Sequence, residues 1–141
     1  MAESLRYRTD EAHEEPAVTL DAFLGESNAT AVRIEPGDDV RALLPHLDRL
    51  ALIEVAFPKF RDGRGYSAAR ILREAGYAGE LRAEGDILLD QLLPMRRCGF
   101  DAFRPIVPID PAEADRVLTS FDMYYQRAAD GGAPIWALRH G

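Results

Sequence analysis

The chain reads as an α/β protein: a mainly parallel sheet of about four strands built from repeated strand–helix units. Its architecture is either an open, doubly wound sheet or an arrangement like half of a β/α barrel. Three observations predict this. Alternating or continuous apolar runs at 30–35, 51–57, 79–84 and 100–107 read as strands. Each is followed by a segment with apolar residues at helical spacing. Gly- and Pro-bearing turns punctuate the boundaries. Strand–helix alternation implies parallel strands joined by right-handed crossovers.

Taken in order, residues 1–16 are charged and unpatterned, which predicts a disordered leader ahead of a single domain over 17–141. Residues 17–24 carry Val18, Leu20, Phe23 and Leu24, a helical turn or a short edge strand. In 30–35, Val32 and Ile34 share one strand face. Val40, Leu43, Leu44, Leu47 and Leu50 then follow a helical stripe that Pro45 should kink or break, since a mid-helix proline costs ~3 kcal/mol. Ala51 to Phe57 is nearly all apolar, as in a strand covered on both faces.

Ala68, Ile71, Leu72 and Ala75 mark the next helix, with Ser67 or Asp62 as its cap and Gly76 as its stop. After the strand 79–84, Gly85-Asp86 forms a turn with Asp86 as the N-cap of a helix over 87–97. Pro94 should bend that helix or end it early, and Gly99 stops the segment. Asp110-Pro111-Ala112-Glu113 is a helix start: a capping Asp, Pro at the first position and Glu in the first turn. Val117, Leu118, Phe121, Tyr124 and Tyr125 form its stripe, Gly131-Gly132 ends it, and an apolar tail with Trp136 docks on the core or on another subunit.

Composition narrows the function. The net charge of -7 disfavours nucleic acid and anionic membranes as partners, because the summed field repels polyanions. The start of the chain has no signal-peptide pattern, and no apolar run approaches the ~20 residues that span a bilayer, so a cytoplasmic protein is expected. The single cysteine, Cys98, excludes an internal disulfide and an all-cysteine metal site. It reads as a structural thiol. His13, His46 and His140 lack metal-ligand spacing, and no metal is assigned.

Against this acidic background, Lys59, Arg61 and Arg64 crowd one loop with Asp62 and Ser67, between the strand 51–57 and the helix after it. Loops that follow parallel strands share one edge of the sheet, where ligands bind. On that edge the pattern also places Arg82, Asp86 and Arg104. Arginine forks match oxyanions, and glycine admits close backbone N–H groups. The candidate ligand-binding set is therefore Lys59, Arg61, Asp62, Arg64, Ser67, Arg82, Asp86 and Arg104. Read plainly, the loop is a solvated turn, Arg82 marks an exposed sheet edge, and Asp86 is only a cap. The chain has no GxGxxG, P-loop, CxxC, HExxH or GxSxG, so no cofactor is encoded by a motif and the catalytic residues are unknown.

Phe57-Pro58-Lys59-Phe60-Arg61-Asp62-Gly63-Arg64-Gly65-Tyr66-Ser67, Gly79 to Asp86, Asp90-Gln91-Leu92 and Arg96 to Phe103 together resemble the bacterial "domain of unknown function 934" family, over about residues 30–105. Members carry the label of oxidoreductases of sulfite reduction, and the family has no established catalytic residues to carry over. Glu84 and Leu89 stand where the family pattern has an apolar and a basic residue. The resemblance implies a cytoplasmic role in sulfite or sulfate assimilation. Three readings follow. The first is an accessory protein that holds a small oxyanion or docks on a sulfite- or sulfate-reducing enzyme. The second is an oxidoreductase that binds flavin or nicotinamide, with the site shared across a homodimer. The third is a scaffold in which Asp62 pins the turn by pairing with Arg64 or Arg82.

Overall fold

The computed structural model describes residues 5–12, 16–26, 28–58 and 63–122. The expectations for Lys59, Phe60, Arg61, Asp62, His13, Tyr124, Tyr125, Gly131-Gly132, Trp136 and His140 fall outside them. Six strands form one sheet: β1 (Leu5–Arg6), β2 (Val18–Thr19), β3 (Ala31–Ile34), β4 (Leu52–Phe57), β5 (Glu80–Gly85) and β6 (Ala102–Pro105). Their spatial order is β1-β6-β5-β4-β3-β2. Strands β2 to β6 are parallel, and β1 runs antiparallel beside β6. Helices α1 (Leu20–Glu26), α2 (Arg64–Glu74), α3 (Leu92–Cys98) and α4 (Pro111–Asp122) alternate with them, together with a 3-10 helix at Val40–Arg49 and a 3-10 turn at Leu89–Gln91.

Because β2 to β6 are neighbours in both sequence and space, every crossover steps the same way. Right-handed crossovers then put all the helices on one face. The long 3-10 helix packs on α2, α2 on α3, and α3 on α4, so they form one continuous layer. The sheet is open, as expected, with β1 and β2 at its edges; it is wound in one direction only, like half a β/α barrel.

Alternation along the strands separates two faces. Val32, Ile34, Ile53, Val55, Phe57, Leu81, Ala83 and Phe103 point into the helical layer and form its floor. Ile34, Val55, Ala83, Phe103 and Leu5 lie in one cross-strand row. Each large side chain buried there contributes about 1.5–3 kcal/mol. The opposite face carries the row Arg33, Glu54, Arg82, Ala102, Arg6.

Two prolines act differently from the sequence expectation. Pro45 neither kinks nor breaks its helix: the whole stretch from Val40 to Arg49 is 3-10. Without an N–H, Pro45 cannot close an α-helical bond, and its ring crowds the carbonyl one turn back. The tighter winding keeps Val40 and Leu43 buried. Pro94 does not end a helix over 87–97. It lies in the first turn of α3, where the missing N–H is not needed. Gly76 and Gly99 terminate their helices at positive φ, as expected, and Asp110 accepts a hydrogen bond from the Ala112 N–H at the start of α4. The stretch 17–24 is both an edge strand and a helix. No helix among the described residues is long and apolar enough to cross a membrane.

The disordered leader expected over 1–16 is corrected for residues 5–12. Leu5 is buried opposite Phe103, and the Tyr7 N–H donates to the Asp101 carbonyl. Arg6 pairs with Glu80 and Asp10, and Arg8 with Asp10 and Asp101. Read without their distant carboxylates, these arginines look like solvated charge.

Hydrogen bonds from Arg8, and then from Arg6, hold the Asp10 carboxyl down at about 2 against the opposing effect of burial. A carboxyl depressed in the folded state stabilises above its unfolded value of ~3.9, and that stability is lost as pH falls through the folded value. The melting-temperature difference between Asp10→Asn and the parent is therefore expected at pH 5–7 and closes between about pH 4 and 2. Asp10 is exposed, so the effect is small. A difference unchanged at pH 2 refutes the clamp.

Candidate functional site

The parallel strands bring the turn after β3 and the start of α2 together at one edge of the sheet. A cleft of about 190 Å³ opens there. Its rim carries Glu35, Gly37, Asp38, Asp39, Arg41, Arg64 and Ser67, and its inner wall carries Ile34, Val55, Ala68 and Ile71.

Three local features shape it. Gly37, at φ 93°, turns the chain out of β3, and a Cβ there would lie 3.9 Å from Arg64 Nη1, so the guanidinium stands against the turn. Gly65 rests on the Phe57 ring, where a Cβ would come within 2.4 Å of Cζ. Only glycine lets α2 sit that close to β4. Helix α2 starts at Gly63 with no side-chain cap, so its first N–H groups and its positive dipole end lie beside Arg64 and Ser67.

The rim carboxylates each hold a local partner. Glu35 pairs with Arg33, Asp38 accepts from the Glu35 N–H, and Asp39 accepts from the Arg41 N–H. Chemically, the cleft offers a guanidinium, a hydroxyl and helix N–H groups over an apolar base. The α2 side of the cleft is donor chemistry suited to an anion, while the turn after β3 adds the Glu35, Asp38 and Asp39 carboxylates to the same rim.

A second cluster lies on the sheet face opposite the helices. Glu54, 4% exposed, accepts from Arg33 Nη1 and Arg82 Nε, each at 2.8 Å, with Arg104 Nη1 3.7 Å away. Arg33 also pairs with Glu84 and Glu35, and Arg6 with Glu80. Opposite charges in register across parallel strands stabilise one another. Glu84, the departure from the family pattern, is thus a member of this ladder.

Arg64 and Ser67 line the cleft together. Arg82 and Arg104 do not: both belong to the ion ladder on the sheet face. The exposed-edge reading of Arg82 is corrected, since it is 7% exposed on an inner strand and charge-paired with Glu54. Asp86 is not a helix cap. Its N–H donates to the Phe57 carbonyl, and the Gln91 side chain accepts from the Leu88 N–H instead. Ser67 is no cap either, because α2 begins three residues earlier. Lys59, Arg61 and Asp62 lie between β4 and α2, outside the described residues.

The sequence reading missed Arg41 and the turn 35–39 on the cleft, and Glu54 and Arg33 in the ladder. Glu54 had a signal, as the one charge inside the apolar run 51–57. Cys98 is buried, and burial raises its thiol pKa, which keeps it protonated at neutral pH. No group of His, Cys, Asp and Glu among the described residues is arranged to hold a metal.

The family model described as "Bacterial protein of unknown function (DUF934)" matches residues 31–136. The chain belongs to this family. No curated protein and no solved structure matches it. In this DUF934 chain the match begins at the first residue of β3 and takes in every residue lining the cleft. Strands β1 and β2 and helix α1 precede it.

Proposed function

We propose that this DUF934 protein is a cytoplasmic accessory protein of bacterial sulfite or sulfate assimilation that holds a small oxyanion in the cleft between β3 and α2. The observation that carries the reading is the meeting of Arg64, Ser67 and the start of a helix without a side-chain cap at one cleft. The sequence adds Lys59 and Arg61 to the same loop. Sulfur enters through the resemblance described above, which favours sulfite or sulfate among tetrahedral and pyramidal oxyanions. An acidic patch on a sulfite- or sulfate-reducing enzyme would meet the same cations.

Calorimetric titration with sodium sulfate and sodium sulfite tests the proposal. Both should bind. Arg64→Ala should weaken binding by about 10-fold or more, as for loss of a charge-assisted hydrogen bond, and Ser67→Ala by a few-fold. Absence of heat from both anions refutes the oxyanion reading. An oxidoreductase would instead show the absorbance of bound flavin or take up nicotinamide at this edge.

A further inference from the structure

The cleft is larger and more apolar than an inorganic oxyanion requires. Its 190 Å³ far exceeds the ~10–15 Å³ that admits one water. Polar groups are confined to the rim. Below them Ile34 and Val55, 3% and 2% exposed, rise from adjacent strands, and Ala68 and Ile71 close the side from α2, one turn apart. Leu in place of Ala68 would fill this base. The small side chain leaves it open while the neighbouring Ala69 and Leu72 pack in the core without exposure. A sulfate ion at the rim, beside Arg64 and Ser67, would leave the apolar wall of Ala68 and Ile71 facing water, and covering that surface is favourable.

We infer that the ligand is an organic oxyanion: a tetrahedral sulfonate, sulfate or phosphate group carried on a short apolar chain that fills the base of the cleft. The inference rests on the oxyanion reading above and narrows its ligand class. The anionic head lies at the rim against Arg64, Ser67 and the first N–H groups of α2. The chain runs inward between Ile34, Val55, Ala68 and Ile71. Affinity then comes from two separable sources, charge at the mouth and apolar burial beneath it.

A homologous series separates them. Sodium sulfate and methane-, ethane-, propane- and butanesulfonate are titrated calorimetrically into the full-length protein. Affinity should rise about fourfold with each added methylene, the value of burying one, and level off once the base is full. Ala68→Leu should flatten the series, read as the affinity of each sulfonate relative to sulfate in the same variant. Ile71→Phe, at a half-buried position, does the same if Ala68→Leu folds poorly.

A flat series in the parent protein, with sulfate still bound, overturns this inference and leaves the oxyanion reading standing. A rise that neither substitution alters places the chains elsewhere and also overturns it. If neither sulfate nor any sulfonate binds, the oxyanion reading falls as well.

Discussion

Glu54→Leu should lower the melting temperature by roughly 10–20 °C. Glu54 lies at the centre of the ladder, almost fully buried, with Arg33 and Arg82 each 2.8 Å from one of its oxygens. Removing the carboxylate leaves the buried Arg82 guanidinium facing Arg33 and Arg104 with Glu80, 3.9 Å away, as its remaining counter-charge, while Arg33 keeps Glu35 and Glu84. Breaking a buried pair by deleting one member costs about 3–5 kcal/mol, because the remaining charge stays desolvated. Replacing both members with apolar residues removes that penalty, so Glu54→Leu with Arg82→Met should recover most of the loss. Arg82→Met alone should cost less than Glu54→Leu, since Glu54 keeps Arg33. Urea or thermal melts of the three variants give the cycle. If Glu54→Leu lies within 1 kcal/mol of the parent, the carboxylate is solvated and the ladder is ornamental.

The ladder also shows where sequence reading reaches its limit. Strand existence was legible because the period-2 and continuous apolar patterns at 30–35, 51–57 and 79–84 follow directly from burial against a helical layer. Helix ends were legible at Gly76 and Gly99, where positive φ demands glycine. The partner of a charge was not. Arg82 and Glu54 are 28 positions apart, and only the parallel register puts one opposite the other. Seen alone, Arg82 looks like an edge residue; beside Glu54 it is part of the interior. Arg6 and Arg8 were misread for the same reason, since Glu80 and Asp101 lie far along the chain.

Proline effects failed differently. The penalty of a mid-helix proline was correctly anticipated. Its resolution, a tighter helix around Pro45 and a later helix start before Pro94, depends on which carbonyls the packing leaves to be satisfied. For the cleft, the pattern supplied the edge, the loop, Arg64 and Ser67. It did not supply Arg41 or the turn after β3, because β3 became the neighbour of β4 only through the strand order.

The edge that carries the cleft also depends on Gly85, and Gly85→Ala should cost about 2–6 kcal/mol. Gly85 ends β5 at φ 131°, a conformation that side-chain-bearing residues adopt only with strain of order 1–3 kcal/mol. A Cβ there would also come within 2.3 Å of the Phe57 carbonyl oxygen and 2.9 Å of its carbon. Those are backbone atoms of the neighbouring strand, which cannot rotate aside as a side chain would, and overpacking typically adds about 1–3 kcal/mol. The same oxygen accepts from the Asp86 N–H at 2.8 Å, and the Gly85 carbonyl accepts from the Ile106 N–H at 2.9 Å. Moving β4 away from β5 therefore loosens the ends of three strands together. It also disturbs the cleft, because the Phe57 ring is the surface on which Gly65 of α2 rests. Hydrogen exchange should show faster exchange of the Asp86 and Ile106 amides, alongside the lower melting temperature. Gly25→Ala is the control: nothing lies within 4 Å of its Cβ position in α1, so it should be neutral or gain up to about 1 kcal/mol. If Gly85→Ala matches Gly25→Ala in stability, the close approach of β4 to β5 at this edge does not constrain the fold, and the coupling from Gly85 through Phe57 to the cleft is lost with it.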